Sequence, residues 1–253
     1  MQRQKILAII PARSGSKRIP SKNKRLFAGK PLIGHTIHQA LGLKIFDRVI
    51  LDTDSAEIAT IAQRYGAEVP FLRPVRLAGD KSLVADSALN ILKKLDQNES
   101  YKPDYVALLQ PTSPLREKAD ILKCVRKIRE KNTDAVLTVC STHPLLYNLS
   151  KNGNLVLANI PKVAPKFIQG KRLKGFQMQA FPPGYKLNGC FVYLIKYNVF
   201  IKAKTFFPKK TKAVIVDAWR SVDLDTPEDF VLAEFIYNHT HEIKNRIKNF
   251  PIC

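Results

Sequence analysis

The chain has few of the features that mark membrane, exported or metal-binding proteins. Its 253 residues include only four cysteines, and their lack of C-x-x-C spacing argues against a zinc site or a redox pair. No apolar run approaches the roughly 18 residues of a membrane-spanning helix. Residues 6–10 imitate a signal sequence, but Pro11 and Arg13 end the apolar run too early for export. So few thiols predict a reducing, cytoplasmic environment.

Acidic residues are also scarce. The 42 Lys and Arg outnumber the 21 Asp and Glu, which leaves a net charge of +21. Such an excess indicates anionic partners, whether nucleic acid, nucleotides, acidic sugars or a membrane surface. Hydrophobic residues at 45% and charged residues at 25% are ordinary globular values, which argues against a disordered or fibrous chain.

Short apolar runs alternate with longer helical patterns. Strands are predicted at residues 6–10, 48–52, 105–109 and 134–139, and helices at residues 31–41, 55–65, 86–95 and 118–130. Each strand is apolar through its middle, as expected for strands buried on both faces. This alternation predicts an α/β domain with a mostly parallel sheet between two layers of helices.

The pattern changes after residue 143. Residues 143–186 are rich in proline, glycine and basic residues, and they predict an inserted β-rich arm within a single domain spanning residues 1–253. Strands at residues 190–195 and 213–216 then return to the core. A final helix begins at Thr226, with Pro227 in its first position.

A Gly/Ser loop filled with cations follows the first strand, from Pro11 to Arg25. Its backbone N–H groups and cationic heads could surround phosphates. It is neither a Walker A sequence nor G-x-G-x-x-G. By composition alone, a solvated basic loop is an equally good interpretation.

That loop is the first of several segments that resemble, in the same order, the acylneuraminate cytidylyltransferases, a family of CMP–sialic acid synthetases. The matching segments are Ala12-Arg13-Ser14-Gly15-Ser16-Lys17 with Lys22-Asn23, Asp52-Thr53-Asp54, Arg73-Pro74, Leu77-Ala78 with Asp80, LLQPTSPLR from Leu108 to Arg116, Asn188-Gly189, and VDLDTPED from Val222 to Asp229. An ordered series of this kind is far more specific than any single motif.

The resemblance implies a Rossmann-like three-layer α/β/α nucleotidyltransferase fold and a cytidylyl-transfer reaction. The anomeric hydroxyl of a nonulosonic acid would attack the α-phosphate of CTP and release pyrophosphate, so cations should carry much of the catalysis. By resemblance, the catalytic residues are Lys22, Arg13 and Lys17. The nucleotide-binding residues are Ala12, Arg13, Ser14, Gly15, Ser16, Lys17, Asn23, Asp54 and Arg73.

Asp223 and Asp225 are the candidate ligands for Mg²⁺ (or Mn²⁺). If the chain is extended there, the i, i+2 spacing places both carboxylates on one face, and oxygen ligands suit this cation. On spacing alone, an equally good interpretation is that Asp225 and Thr226 merely cap the helix that follows. The resemblance favours metal binding and leaves Thr226 as the cap.

The candidate sugar-binding residues are Gln110, Thr112, Ser113, Gln179, Tyr185, Lys186 and Asn188. Thr112 and Ser113 could instead belong to a proline-enforced turn. Lys186 stands where the family has arginine, which keeps the charge but loses the bidentate fork. Met178-Gln179-Ala180 stands where the family often has Arg-Gln-Asp or Arg-Gln-Gln. These departures leave the identity of the sugar open.

Two other interpretations remain. A 3-deoxy-octulosonate cytidylyltransferase is a sibling alternative, but that group has a shorter amino-terminal loop without Gly-Ser-Lys followed by Lys-Asn. A nucleic-acid-binding protein would explain the charge, yet no basic stripe interleaved with aromatics is present. The expected partners are therefore CTP, a nonulosonic acid and a second copy of the chain joined through the arm, with no nucleic acid and no membrane.

Overall fold

The computed structural model describes residues 4–143, 147–149, 155–157, 183–189 and 191–250. The strands are β1 (Ile6–Pro11), β2 (Leu26–Phe27), β3 (Lys30–Pro31), β4 (Arg48–Asp52), β5 (Tyr105–Leu108), β6 (Ala135–Thr142), β7 (Tyr147–Leu149), β8 (Leu155–Leu157), β9 (Gly184–Leu187), β10 (Tyr193–Lys196) and β11 (Thr211–Val216). The α-helices are α1 (Leu32–Leu41), α2 (Ala56–Arg64), α3 (Val84–Glu99), α4 (Lys118–Lys127), α5 (Tyr197–Ala203), α6 (Pro227–Asn238) and α7 (Thr240–Lys248).

Within the described residues, one large sheet has the strand order β11-β6-β10-β5-β1-β4, and β9 also pairs with β6. Strands β4, β1, β5, β6 and β11 share one direction, whereas β9 and β10 run against it. The predicted α/β fold with a mostly parallel sheet is confirmed. The predicted core strands and helices are present, with ends shifted by a few residues.

The alternation of side chains along β1 explains why that strand is apolar throughout. Ile6, Ala8 and Ile10 enter the hydrophobic core on one face of the sheet, while Leu7 and Ile9 enter the core on the other face. Successive side chains of a strand point to opposite faces. A strand covered by helices on both sides therefore has no position for a polar residue.

Local sequence signals explain where several helices begin. Helix α6 starts at Pro227 behind Thr226, whose hydroxyl accepts a hydrogen bond from the Asp229 backbone in a reciprocal capping box. Helix α2 is capped by Ser55, whose hydroxyl accepts from the Ile58 backbone. Such caps satisfy N–H groups that have no partner inside the helix. No helix in the described part of the chain is long and apolar enough to cross a bilayer.

The boundary of the predicted arm differs from the prediction. Gly184–Leu187 forms β9 and pairs with the central strand β6, so the last residues assigned to the arm belong to the main sheet. Strands β7 and β8 form a separate antiparallel pair. The rest of residues 144–182 lies outside the described residues.

The predicted strand at residues 190–195 begins later, at Tyr193. Leu187 pairs with Val139 and Tyr193 pairs with Leu137, so the chain between them passes a single residue of β6, Thr138. The Thr138 hydroxyl accepts a hydrogen bond from the Val192 backbone at 3.1 Å. The surplus residues are displaced from the ladder as a wide bulge. This bulge lies beside the candidate site.

A third hydrophobic cluster lies apart from the two cores that flank the sheet. It contains Ile19 of the basic loop, Phe191 of the bulge, Leu224 of the acidic segment and Phe230 of α6. Burial of these apolar side chains ties together segments that are distant in sequence. The cluster therefore fixes the loops on which the candidate functional residues are carried.

Candidate active site

A cleft of about 430 Å³ lies where β1 and β5 end. In open α/β sheets, ligands bind outside the carboxyl ends of the strands. Seventeen residues line the cleft: Pro11, Arg13, Ser16, Lys17, Arg18, Lys22, Asn23, Arg73, Leu77, Gly79, Asp80, Ser82, Val84, Gln110, Pro111, Thr112 and Asp225. The structure thus brings together the basic loop, the end of β5 and the acidic segment.

The basic loop is fastened to the end of β4 by Asp54. The Asp54 carboxylate accepts hydrogen bonds from the Ser14 backbone at 2.7 Å and from the Ser14 hydroxyl at 2.6 Å. Burial acts to raise the pKa of Asp54, but the Ser14 hydrogen bonds outweigh it and hold the pKa below its ordinary value. Ala12 is buried and its N–H donates to the Asp52 carbonyl. Asp54, Ser14 and Ala12 therefore shape the loop.

Asn23 is buried beneath the loop, and its Nδ2 donates to the Arg13 carbonyl at 2.9 Å. Gly15 and Ser16 form the turn between Arg13 and Lys17, and a Cβ added to Gly15 would meet no atom within 4 Å. The turn therefore has open space beside its backbone. Asn23 holds the loop from below while still lining the cleft.

Asp80 bridges two of the predicted phosphate-binding cations. Its carboxylate lies 2.8 Å from Arg13 Nη1 and 2.5 Å from Lys17 Nζ. The hydrogen bonds from Lys17 and then from Arg13 lower the pKa of Asp80. All three side chains are substantially exposed. The two cations therefore meet an anion supplied by the chain itself.

Lys22 lies between the basic loop and the acidic segment. Its Nζ donates to the Leu224 carbonyl at 2.6 Å. Burial lowers the pKa of Lys22, while the charges of Asp225 and Asp223 oppose that shift. Lys22 is thus a partly desolvated cation held against both predicted metal ligands.

The acidic segment is not extended. The Asp225 N–H donates to the Asp223 carbonyl at 2.9 Å, so a tight turn replaces the extended geometry expected from the spacing. Leu224 points into the third hydrophobic cluster. Thr226 and Asp229 cap α6 between them. The Asp225 carboxylate, 3.5 Å from Arg18 Nη1, is exposed at the cleft.

Asp223 is packed beneath the bulge. A Cβ on Gly189, which has a φ of +67°, would lie 2.7 Å from Asp223 Cγ, so only glycine allows this approach. Burial raises the pKa of Asp223, an effect that the nearby Thr112 hydroxyl partly opposes. Asp223 Oδ1 and Asn188 Oδ1 are buried and have no hydrogen-bond partner among the described residues. Each of these two oxygens is therefore an unused acceptor, although neither residue is among those that line the cleft.

Arg73 is held by a buried ion pair at the end of β4. Its Nη2 lies 2.6 Å from Asp52 Oδ2, which also accepts from the Ser87 hydroxyl at 2.5 Å. Arg73 Nε is buried without a partner among the described residues. Because Arg73 also lines the cleft, part of this guanidinium is structural and part faces ligand space.

The predicted sugar-binding residues are only partly brought together. Gln110 and Thr112 line the cleft, and the Thr112 hydroxyl donates to Gln110 Oε1 at 3.4 Å. Ser113 is fully buried and does not line the cleft, and its Oγ has no hydrogen-bond partner among the described residues. Tyr185 and Lys186 are exposed on β9 and do not line the cleft within the described residues. Gln179 and its neighbour Met178 lie outside the described residues.

Several cleft residues had no predicted role. Asp80 and Leu77 belong to matched segments. A carboxylate beside cations that bind phosphate is unexpected, because it repels the negative phosphate. Arg18 lies outside the matched segments, and its Nη1 lies 3.5 Å from the Asp225 carboxylate. Ser82, Gly79 and Val84 enter the cleft through the chain path before α3. Only tertiary structure brings these residues to the site.

The fold and this arrangement define a nucleotidyltransferase-type α/β domain. The chain superposes with a TM-score of 0.66 on a CMP:2-keto-3-deoxy-manno-octonic acid synthetase complexed with CTP, at 16% identity, covering 94% of this chain and 100% of the other. It superposes with a TM-score of 0.60 on 4-diphosphocytidyl-2C-methyl-D-erythritol synthase from Anaerococcus prevotii, at 14% identity, covering 93% and 99%. At such identities the likeness establishes the fold alone.

Sequence similarity is more specific. The family described as cytidylyltransferase matches residues 7–246, and the chain belongs to that family. It is 38% identical over 233 residues to CMP-N,N'-diacetyllegionaminic acid synthase of Legionella pneumophila, covering 91% of this chain and 95% of the relative. It is 33% identical over 245 residues to pseudaminic acid cytidylyltransferase of Campylobacter jejuni, covering 94% and 98%. The N-acylneuraminate cytidylyltransferase of Escherichia coli is 33% identical over 248 residues, which are 97% of this chain and 54% of that relative.

Proposed function

We propose that the protein transfers the cytidylyl group of CTP to the anomeric hydroxyl of a nonulosonic acid, with release of pyrophosphate. The observation that supports this most strongly is the cleft itself. It brings Arg13, Lys17 and Lys22 together with Asp225 at the carboxyl ends of the strands. The relatives named for nonulosonic acids match the chain over nearly its whole length.

In this proposal the cations divide the work. Arg13 and Lys17 leave Asp80 and bind the triphosphate, because a triphosphate carries more negative charge than a single carboxylate. Lys22, fixed by the Leu224 carbonyl, directs its charge toward the α-phosphate, where negative charge grows during transfer. Asn23 and Arg73 contact the cytidine moiety. Positioning and charge stabilisation then account for the chemistry, as is general in phosphoryl-type transfer.

A divalent cation would be held by Asp223 and Asp225. No group of three or more His, Cys, Asp or Glu side chains is gathered for a metal in the described residues. Two carboxylates completed by substrate phosphates nevertheless suit Mg²⁺, and the unpartnered Asp223 Oδ1 fits a cation ligand. When bound, the ion would neutralise phosphate charge during transfer. Asp229 and Thr226 satisfy the helix cap without Asp225.

The sugar is met at the end of β5 and at the bulge. Gln110 and Thr112 offer neutral donors and acceptors at the cleft, and Asn188 Oδ1 is a buried acceptor that a sugar hydroxyl or amide could satisfy. Lys186 and Met178 depart from the N-acetylneuraminate pattern, and the 38% identical relative is named for N,N'-diacetyllegionaminic acid. A diacetylated legionaminate-type sugar is therefore the proposed acceptor.

Pyrophosphate release with CTP and Mg²⁺ across a panel of acids tests the proposal. We expect turnover with N,N'-diacetyllegionaminate above that with pseudaminate or N-acetylneuraminate, and none with 3-deoxy-octulosonate. UTP, ATP and GTP should be poorer than CTP by factors of hundreds, since the wrong base leaves buried partners unpaired. Equal use of ATP and CTP, or no turnover with any nonulosonate, would refute it.

We further propose that the protein acts in the cytoplasm as a homodimer joined through the inserted arm. Cys124 and Cys140 are buried free thiols, as suits a reducing compartment. Light scattering on the full chain, compared with a chain lacking residues 144–182, tests the assembly. A monomer in both cases would contradict it.

A further inference from the structure

Arg116 joins three segments around the candidate site from a buried position. Its side chain is only 2% exposed. Nη2 donates to the Gln110 carbonyl at 2.6 Å, Nε donates to the Phe191 carbonyl, and Nη1 donates to Gln39 Oε1 at 3.1 Å. One guanidinium therefore holds the end of β5, the bulge before β10 and helix α1.

Two of these segments carry predicted sugar contacts. Gln110 follows β5, and Asn188 lies in the bulge three residues before Phe191. Strands β5 and β10 are antiparallel neighbours, but Gln110 and Asn188 lie beyond their paired residues. The pairing of Leu187 with Val139 and the hydrogen bond from Asn188 Nδ2 to Ser221 Oγ at 3.3 Å hold Asn188 from its own side. The two hydrogen bonds from Arg116 to main-chain carbonyls add a direct link between the Gln110 segment and the bulge.

Gln39 holds Arg116 at both ends. Its Oε1 accepts from the guanidinium, while its Nε2 donates to the Arg116 carbonyl at 2.8 Å and to the Pro114 carbonyl at 3.1 Å. The side chain and the backbone of Arg116 are thereby fixed from the same residue of α1. A lysine at position 116 would keep the charge but not the planar fork that reaches separate carbonyls in fixed directions.

We propose that Arg116 is a positioning residue that sets the distance between the Gln110 and Asn188 sides of the acceptor pocket, and that Gln39 supports it. The proposal rests on the proposed function, because it assigns these two sides to the sugar. Arg116 is buried and is not among the residues that line the cleft. It acts by holding two main-chain segments, and small displacements of positioning groups are costly to a reaction.

The test compares the KM for the acceptor sugar with the Kd for CTP. Arg116→Lys should raise the KM for the preferred nonulosonate about tenfold or more, with the Kd for CTP within about twofold by calorimetry. Gln39→Leu should move the acceptor KM in the same direction by less. Arg48→Lys is the matched control, since Arg48 forms ion pairs with Glu68 and Glu99 at the opposite end of β4. It should lower the melting temperature without changing either constant.

Hydrogen exchange in the free protein separates failure of this inference from failure of the proposed function. Arg116→Lys should lose protection at residues 109–113 and 191–193, whereas Arg48→Lys should keep it there. Unchanged protection in both segments, or an equal rise in the KM for both substrates, would overturn the inference. If Arg116→Lys does not fold, Gln39→Leu decides by the same two measurements. If the wild-type protein accepts no nonulosonate, the proposed function is refuted. The hydrogen-exchange result then still tests whether Arg116 holds the two main-chain segments.

Discussion

The two sides of the cleft are built in opposite ways. On the basic side, Lys17 is 79% exposed and, with Arg13, shares the carboxylate of Asp80. On the acidic side, Asp223 is packed beneath Gly189 and keeps one carboxylate oxygen unpartnered within the described residues. The cations of the basic side are exposed and already paired with a carboxylate. The acidic side has a desolvated carboxylate oxygen without a hydrogen-bond partner among the described residues.

Free energy explains why both arrangements can serve one reaction. Exposed ion pairs are weak because solvent screens them, so Arg13 and Lys17 can exchange Asp80 for a phosphate at little cost. A buried unsatisfied acceptor costs about 1–3 kcal/mol in the free protein. Such a cost is tolerated where a ligand recovers it. The basic side therefore adapts to its ligand, while the acidic side is prepared for one.

The largest expected effect is loss of the acidic side. Asp223→Asn and Asp225→Asn should each reduce kcat by about two orders of magnitude or more, because a charged ligand of the metal and triphosphate complex is lost. Pyrophosphate release measured over a Mg²⁺ titration checks this, with circular dichroism to confirm the fold. Normal turnover of either variant at limiting Mg²⁺ would remove that residue from the metal site.

A methyl group added at Gly189 should disturb the acidic side without removing a charge. Gly189→Ala places a Cβ 2.7 Å from Asp223 Cγ at a φ of +67°, so the carboxylate or the bulge must move. We expect kcat to fall about tenfold to a hundredfold, with a raised Mg²⁺ requirement. Gly79→Ala is the counterpart on the opposite side, where the nearest atom, Ser82 Oγ, is 3.6 Å away. Equal losses in the two variants would contradict the comparison.

Single cations should separate binding from chemistry. Lys22→Ala should lower kcat strongly with little change in CTP affinity, whereas Lys17→Ala should weaken CTP binding as well as the rate. Lys24, paired with Glu57 at the surface, and Arg25 should tolerate alanine. Arg18→Ala should fall between these groups, because Arg18 reaches Asp225. Sensitivity of Lys24 or Arg25 equal to that of Lys17 would indicate a diffuse electrostatic patch instead.

Removing the internal anion should sharpen the basic side. Asp80→Asn frees Arg13 and Lys17 from a like-charged competitor of the triphosphate, so CTP should bind a few-fold more tightly. The gain should shrink between 50 and 300 mM salt as screening increases. Calorimetry at both salt concentrations measures it. Weaker CTP binding at either concentration would show that Asp80 supports the nucleotide rather than competing with it.

The smallest effect concerns stability. Burial raises the pKa of Asp223, so the folded state binds its proton more tightly than the unfolded state does. The unfolding free energy therefore falls as pH rises from the ordinary aspartate pKa through the raised one, and the penalty persists above it. In metal-free protein at neutral pH, the Asp223→Asn variant should have a melting temperature a few degrees above that of the wild type. Such a shift corresponds to a gain of about 1 kcal/mol in the free energy of unfolding. The gain should vanish on acidification; a gain that persists at low pH would contradict this cause.

Much of this architecture could be predicted from the sequence. The apolar strands, the capped start of α6 and the order of matched segments gave the fold, the family and the residues near the cleft. Local signals suffice there, because a strand buried on both faces and a Thr-Pro-Glu-Asp cap are written in adjacent residues. Lys22 and Asp225, which are distant in sequence, both line the cleft, and only the resemblance gave them roles in one reaction.

The remainder depends on long-range packing. The bulge, which includes the described residues 188–189 and 191–192, arises because two strands share one edge of β6, which no local pattern reveals. The turn at Asp223–Asp225 follows from burial of Leu224 in a cluster with Ile19 and Phe230. Asp80 meets Arg13 only because the chain before α3 returns to the end of β1. Such contacts are set by tertiary structure, not by propensity.

The pairing of β6 with β9 has a further consequence. Thr142 and Gly184 are partners on adjacent antiparallel strands, so the chain leaves the sheet and re-enters it at points only about 5 Å apart. Topologically, the whole excursion is the loop of a hairpin. Its closure entropy grows only slowly with length, so insertions and deletions there leave the register of the sheet untouched. The length of this region can therefore vary while the edge of the sheet that carries the cleft stays unaltered.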